Sequence, residues 1–186
     1  MKLSLTSAFL LIAITACGPQ ERVVQEDVEA VSVTEGYQLP VFTDQERWMR
    51  TAYIWTVSSA LYLDELKKKG LSPAESGQVQ ADIFSPGWSG VQNAMDLFSA
   101  MYRNWSMIPG NVCEVSEATE ETVKATCNRP YLAFFEQSGG DIYGMSLAEY
   151  EESNISFNSG IAFSVGMNWH QELEGDDFHI TITRTQ

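Results

Sequence analysis

Ile161-Ala162-Phe163-Ser164-Val165-Gly166-Met167-Asn168-Trp169-His170-Gln171-Glu172-Leu173-Glu174-Gly175-Asp176-Asp177-Phe178-His179-Ile180-Thr181-Ile182 is the stretch on which the fold turns. Its apolar side chains alternate. Ile161, Phe163, Val165, Met167, Trp169 and Leu173 take odd positions, and beyond Glu174-Gly175-Asp176-Asp177 the apolar Phe178, Ile180 and Ile182 take even ones. A period of two marks strands with one buried face. A hairpin turning at Gly175-Asp176 pairs residues of opposite parity, such as Glu172 with Asp177 or with His179. Only such a register puts both apolar sets on one side. The other side then gathers His170, Glu172, His179, Thr181 and Thr183.

Working back from the hairpin, the pattern changes from strands to helices. Residues 112–115 read as a short strand, and 122–127 as another in which Val123, Ala125 and Cys127 alternate. Residues 130–137 read as a short helix stopped by Gly139-Gly140. Ser146 and Glu149 form a capping box that opens a further short helix over about 147–152. The earlier part is helical. Thr43 and Glu46 make a capping box, and Trp48, Ala52, Trp55, Ser59, Tyr62 and Leu66 recur three and four apart. Such an aromatic stripe is expected to be core. Lys67, Lys68 and Lys69 suit the last turn, and Gly70 the stop. Ser72, Pro73 and Glu75 start a second helix, broken at Ser85-Pro86-Gly87. A third carries Trp88, Val91, Met95, Phe98, Tyr102 and Trp105 on one face. The fold class is therefore α+β: helices packed on one face of an antiparallel sheet that ends in a C-terminal β-hairpin.

The formal charge is −14. A surface this acidic repels nucleic-acid phosphates, and nucleic-acid binding is rejected. Lys2 precedes a mostly apolar run over 3–14, too short and too close to the start for a permanent membrane span. The run ends in Ile14-Thr15-Ala16-Cys17-Gly18-Pro19. This resembles the lipobox of bacterial lipoproteins, an aliphatic residue and two small residues before a cysteine. The resemblance implies cleavage before Cys17 and acylation of that cysteine, each buried methylene contributing about 0.8 kcal/mol to anchoring. It also implies the periplasmic face of a bacterial membrane. Gly18 stands where an aspartate would resemble an inner-membrane retention signal, which favours the outer membrane. Residues 1–16 are then a signal peptide. Residues 17–41 are the lipidated cysteine and a flexible acidic tether with Glu21, Glu26, Asp27, Glu29 and Glu35, unless 31–33 adds a strand. Residues 42–186 are a single periplasmic domain. In that oxidising compartment Cys113 and Cys127 are expected to form a disulfide, with a redox or metal-binding thiol pair as the rival.

The ending 169–182 resembles the terminal hairpin of the L-2-amino-thiazoline-4-carboxylic acid hydrolase-like family, in which a leucine is followed by Gly-Asp, an aromatic residue and a strand. The helix ending Lys69-Gly70-Leu71-Ser72, Trp88 and the strand at 123–127 fall in matching order, so the resemblance covers about two thirds of the chain. It implies an α+β domain holding a small organic molecule between helices and sheet, and ring-opening hydrolysis of a cyclic amino-acid-like substrate. Two departures stand against transferring the activity: His179 replaces a cysteine often found in members, and members are mostly soluble. Vinyl-reductase-like ligand sensors have a similar ending.

His170, Glu172 and His179 are the constellation with chemical potential, as general base with an orienting partner or, alternatively, as a zinc site with room for water. A solvated sheet face is the ordinary reading of the same residues. No cofactor is predicted. Glu120-Glu121 and Glu151-Glu152 read as solvated charge. Three functions follow. The leading one is a lipid-anchored module binding a small organic molecule in a pocket bounded by Trp55, Trp88 and Trp105. The others are a hydrolase using the histidine face, and a structural lipoprotein that packs on an envelope protein through an exposed apolar patch.

Overall fold

The computed structural model describes residues 40–185. The signal peptide, Cys17, the tether as far as residue 39 and the alternative strand at 31–33 lie outside the described residues.

Six strands and five α-helices follow one another as α1 (Asp44–Lys68), α2 (Pro73–Phe84), α3 (Ala94–Trp105), β1 (Cys113–Ala118), β2 (Thr122–Asn128), α4 (Leu132–Gln137), β3 (Asp141–Ile142), β4 (Met145–Ser146), α5 (Leu147–Ser164), β5 (Met167–Glu174) and β6 (Asp177–Arg184). A four-stranded antiparallel sheet has the order β1-β2-β6-β5, and β3-β4 is a separate small ladder. Helices cover one face of the large sheet. Val123, Ala125, Cys127, Met167, Trp169, Phe178, Ile180 and Ile182 point into a core shared with Leu97 and Met101 of α3 and Ile161 and Ala162 of α5. A second core joins α1 to α4 and the β3-β4 ladder through Ala60, Leu63, Phe134, Phe135, Ile142 and Met145.

The hairpin has the opposite-parity register, with Glu172 opposite His179 and Leu173 opposite Phe178. Gly175 turns it at φ 56°, while Asp176 stays out of the left-handed region, the arrangement that asks for glycine at the first central position of a two-residue turn. The strand is shorter than its alternation suggested. Ile161 and Phe163 belong to α5, which ends at Ser164 and is stopped by Gly166 at φ 76°. The reason lies in where α5 sits. It packs on α2 on one side and β5 on the other, so apolar and small residues surround it and no single stripe advertises its period. The capping box at Ser146 and Glu149 is present, but the helix it opens runs on to residue 164.

The capping boxes at Thr43/Glu46 and Ser72/Glu75 also form as read. The third helix does not. Residues 85–88 form a turn of 3-10 helix and α3 starts only at Ala94, capped by Asn93. Its buried residues are Ala94, Leu97 and Met101, with Phe98 and Trp105 packed at the margin and Met95 exposed.

Cys113 and Cys127 face each other across β1 and β2, with Cα atoms 4.1 Å apart and sulfurs within bonding distance. The bond closes a loop of sequence separation 14. Chain-entropy reasoning assigns such a loop about 3 kcal/mol. Replacing both cysteines with alanine is expected to cost about that much in urea denaturation, and dithiothreitol should destabilise the wild type but not the double variant.

Glu149 supplies a pH-dependent contribution. The Lys67 ammonium, 2.6 Å from its carboxylate, lowers its pKa most, and the backbone and hydroxyl hydrogen bonds from Ser146 add to this, bringing it to about 2. In the unfolded chain the same carboxyl titrates near its ordinary 4.5. The folded state therefore holds fewer protons through this interval, and the contribution is complete above pH 4.5 and is lost as pH falls toward 2. Glu149→Gln should flatten that part of the curve: its urea midpoint should fall less than the wild type's between pH 5 and pH 2.

Candidate functional site

The wet face of the sheet carries the residues with chemical potential, and its register arranges them in two rows. Glu172 stands opposite His179, which stands opposite Thr126. His170 stands opposite Thr181, which stands opposite Lys124. The side chains, however, divide into two separate pairs. His170 Nε2 lies 3.0 Å from Glu172 Oε1. His179 Nε2 lies 3.0 Å from Glu174 Oε2, and its Nδ1 lies 2.9 Å from the Thr126 hydroxyl. The second imidazole thus turns away from the first pair and is held on both nitrogens by other groups. Among the described residues no cluster of three or more His, Cys, Asp or Glu side chains is placed to hold a metal ion, so the trio does not assemble the ligand set of the zinc alternative. Both pairs are open to water, where such a contact contributes little.

The three tryptophans do not converge. Trp105 packs edge-on against Trp169 and Phe178, with ring centroids 5.8 and 5.5 Å away, at the margin of the sheet core. Trp88 packs on the margin of the same core. Trp55 is exposed on α1. Two open depressions of about 340 and 460 Å³ lie elsewhere. The smaller lies between α5 and β5 beside Ser159, Phe163 and Trp169. The larger lies beside Met49, Arg50, Tyr53 and Phe134. None of Trp55, Trp88 and Trp105 lines either, nor does any residue of the histidine pairs.

Of the stripe read as core on α1, Ala52 and Leu66 are buried, while Trp48, Trp55 and Tyr62 stand exposed. The residues that α1 buries are Ala52, Thr56, Ala60, Leu63, Asp64 and Leu66. The large side chains stand outward: Ile54 is 53%, Trp55 63%, Leu61 41% and Tyr62 43% exposed. Both stripes have helical spacing, so periodicity alone does not choose between them. Small residues won the inner face because α1 must approach α2 and the β3-β4 ladder closely, and alanines allow that approach. Ile54 and Leu61 are seven residues apart, as are Trp55 and Tyr62, so the four form one patch about two turns long. Thr51 and Ser58 share the same arc, and Arg47 and Lys69 mark its ends. Trp48 continues the aromatic row and donates its indole N–H to the Met107 carbonyl at 2.7 Å. The signal that would have found this face is the alternative stripe of small residues, Ala52-Thr56-Ala60-Leu63.

A buried ion pair was also missed. Arg129 donates to Glu151, which the sequence reading left in solvent, and both side chains are almost fully enclosed. Tyr131 donates to the same carboxylate at 3.0 Å. Arg129 also donates to the Gly175 carbonyl through its guanidinium, and its backbone N–H reaches the Asp176 carbonyl at 2.9 Å. Burial, with the Glu151 charge beside it, pushes the Tyr131 hydroxyl far above the ordinary tyrosine range. This network ties α5 to the hairpin turn. No local spacing announces a pair 22 positions apart.

No family model matches the chain, and no curated protein matches it. Among solved structures, an Fe(II) unliganded H-NOX protein mutant from K. algicida aligns with 76% of this chain at 8% identity and a TM-score of 0.26. The chain spans 63% of that protein's length. A likeness at this level carries no argument about fold or function. What the coordinates define is an α+β domain with a helix-covered antiparallel sheet, and no helix among the described residues is long and apolar enough to cross a membrane.

Proposed function

We propose that this chain is an envelope lipoprotein, anchored through acyl groups on Cys17, whose α+β domain works by contact through the outer face of α1. The observation that carries the reading is the patch of Ile54, Trp55, Leu61 and Tyr62. Four large apolar side chains held in water on one rigid helix mark a surface that another component covers. The histidine pairs support catalysis less well, because they are separate, open to water and line neither depression. The test is photo-crosslinking in living cells, with a photoreactive amino acid at position 55 and, as comparison, at position 124 on the wet sheet face. Position 55 should capture an envelope component well above position 124. Equal or absent capture at the two positions contradicts the reading.

A further inference from the structure

We infer that the component covering the outer face of α1 is the lipid bilayer that holds the chain's own anchor. The inference rests on the docking reading above and names its partner.

Three observations point to lipid. The first is the make-up of the arc. Trp55 and Tyr62 are aromatic bodies with a polar tip, the side chains that settle at the level of lipid headgroups. Ile54 and Leu61 supply the apolar part. Ser58 lies between them, and its hydroxyl would stay hydrated at a bilayer surface but would be stranded in the dry seam between two protein helices, whereas Thr51 on the same arc already donates to the Arg47 carbonyl. A second copy of this chain or another protein helix fits that pattern less well.

The second observation is charge. The chain carries −14 overall. The segment from Asp44 to Lys69 departs from this, because it holds Arg47, Arg50, Lys67, Lys68 and Lys69 against Asp44, Glu46, Asp64 and Glu65. Five of the chain's 11 Lys and Arg are therefore here, and with Lys67 paired to Glu149 the helix is close to neutral in an acidic chain. An acidic domain is repelled by an anionic membrane less across this helix than its overall charge would suggest, which favours approach by this side.

The third is the length of chain ahead of the helix. Thr43, the N-cap of α1, lies about 26 residues after Cys17, a reach of at most roughly 90 Å when fully extended. Helix α1 is the first described element after the anchor, and the intervening length of chain lets its outer face reach lipid. A helix of 25 residues, about 38 Å long, lies along the surface with its apolar side down, as interfacial amphipathic helices do.

The experiment uses the chain as purified from membranes, reconstituted into vesicles of phosphatidylethanolamine and phosphatidylglycerol. One set of vesicles carries bromine on shallow acyl carbons, which quenches tryptophan on contact. Wild-type emission should be quenched, and Trp55→Phe, which keeps the face apolar, should remove most of the quenching. Ile54→Asp with Leu61→Asp leaves Trp55 in place. It should shift the docked population at least roughly tenfold toward the undocked state, because two buried aliphatic side chains are lost to charge. Circular dichroism should be unchanged, since both positions face outward. Acylation of Cys17 is read by mass on the same sample. A chain that carries acyl groups but shows no quenching dependent on Trp55 overturns this inference and leaves the anchor intact. A chain without acyl groups overturns the anchor, and its quenching on added vesicles still decides the docking. Self-association that hides Trp55 from both lipid and water also overturns it.

Discussion

Gly77→Ala is expected to lower the stability of the domain by about 3 kcal/mol, measured by urea denaturation, although helix propensity alone argues for a gain. Alanine at a helix interior position is favoured over glycine by about 1 kcal/mol. Position 77 reverses the sign because α2 and α5 touch backbone to backbone there. A Cβ built on Gly77 would fall well inside van der Waals contact of the Ser153 carbonyl oxygen, 2.8 Å from Ser156 Cβ and 2.9 Å from the Phe157 nitrogen. Two of those atoms are backbone and cannot swing aside. The helices would have to separate, and the hydrogen bond from the Ser156 hydroxyl to the Ala74 carbonyl, now 2.7 Å, would open with them. Gly160, on α5, makes the reciprocal approach, its added Cβ falling 2.5 Å from Ala81 Cβ and 3.0 Å from the Gln78 side chain. Gly160→Ala should also destabilise, because the glutamine can move but the Ala81 Cβ is fixed to its helix. A Gly77→Ala protein as stable as the wild type would contradict this packing.

Removing one partner of the Arg129–Glu151 pair should cost about 3–5 kcal/mol, while removing both should cost much less than the sum. Each charge is enclosed beside its partner, so Glu151→Leu strands a guanidinium and Arg129→Met strands a carboxylate. Arg129→Met should be the more damaging, because it also releases the Gly175 carbonyl at the hairpin turn and leaves Tyr131 donating to an unneutralised carboxylate. The double variant Arg129→Met/Glu151→Leu replaces two buried charges with apolar groups of similar length. A double-mutant cycle with no coupling would show that the pair is not formed in solution.

The parts of the fold that could be read from the sequence are those where one local signal has one structural meaning. The turn at Gly175-Asp176 and the parity of the apolar residues around it left a single family of registers, and the sheet has it. The capping boxes at Thr43, Ser72 and Ser146 each marked a helix start, because a side chain that satisfies a free backbone N–H has little other use at that spacing. The signals failed where tertiary packing chose between equivalent patterns. On α1, the aromatic stripe and the small-residue stripe are both helical, and the need for close approach selected the alanines. On α5, apolar residues on more than one side erased the period, with Ile161 buried and Phe163 exposed, and let the two pass for strand residues. The histidine face was correctly placed on the wet side of the sheet, but parity gives side-chain direction only. It does not say that Glu174 rather than Glu172 would take His179. The Arg129–Glu151 pair was beyond reach because it is made by the fold.

The measurement that bears most directly on the account is the intact mass of the native protein extracted from cell membranes. The expected polypeptide starts at Cys17 and is heavier than its sequence by a diacylglyceryl group, with or without a further acyl chain on the new amine. A polypeptide that starts at another residue, carries no fatty acid and comes off membranes in plain buffer would contradict it.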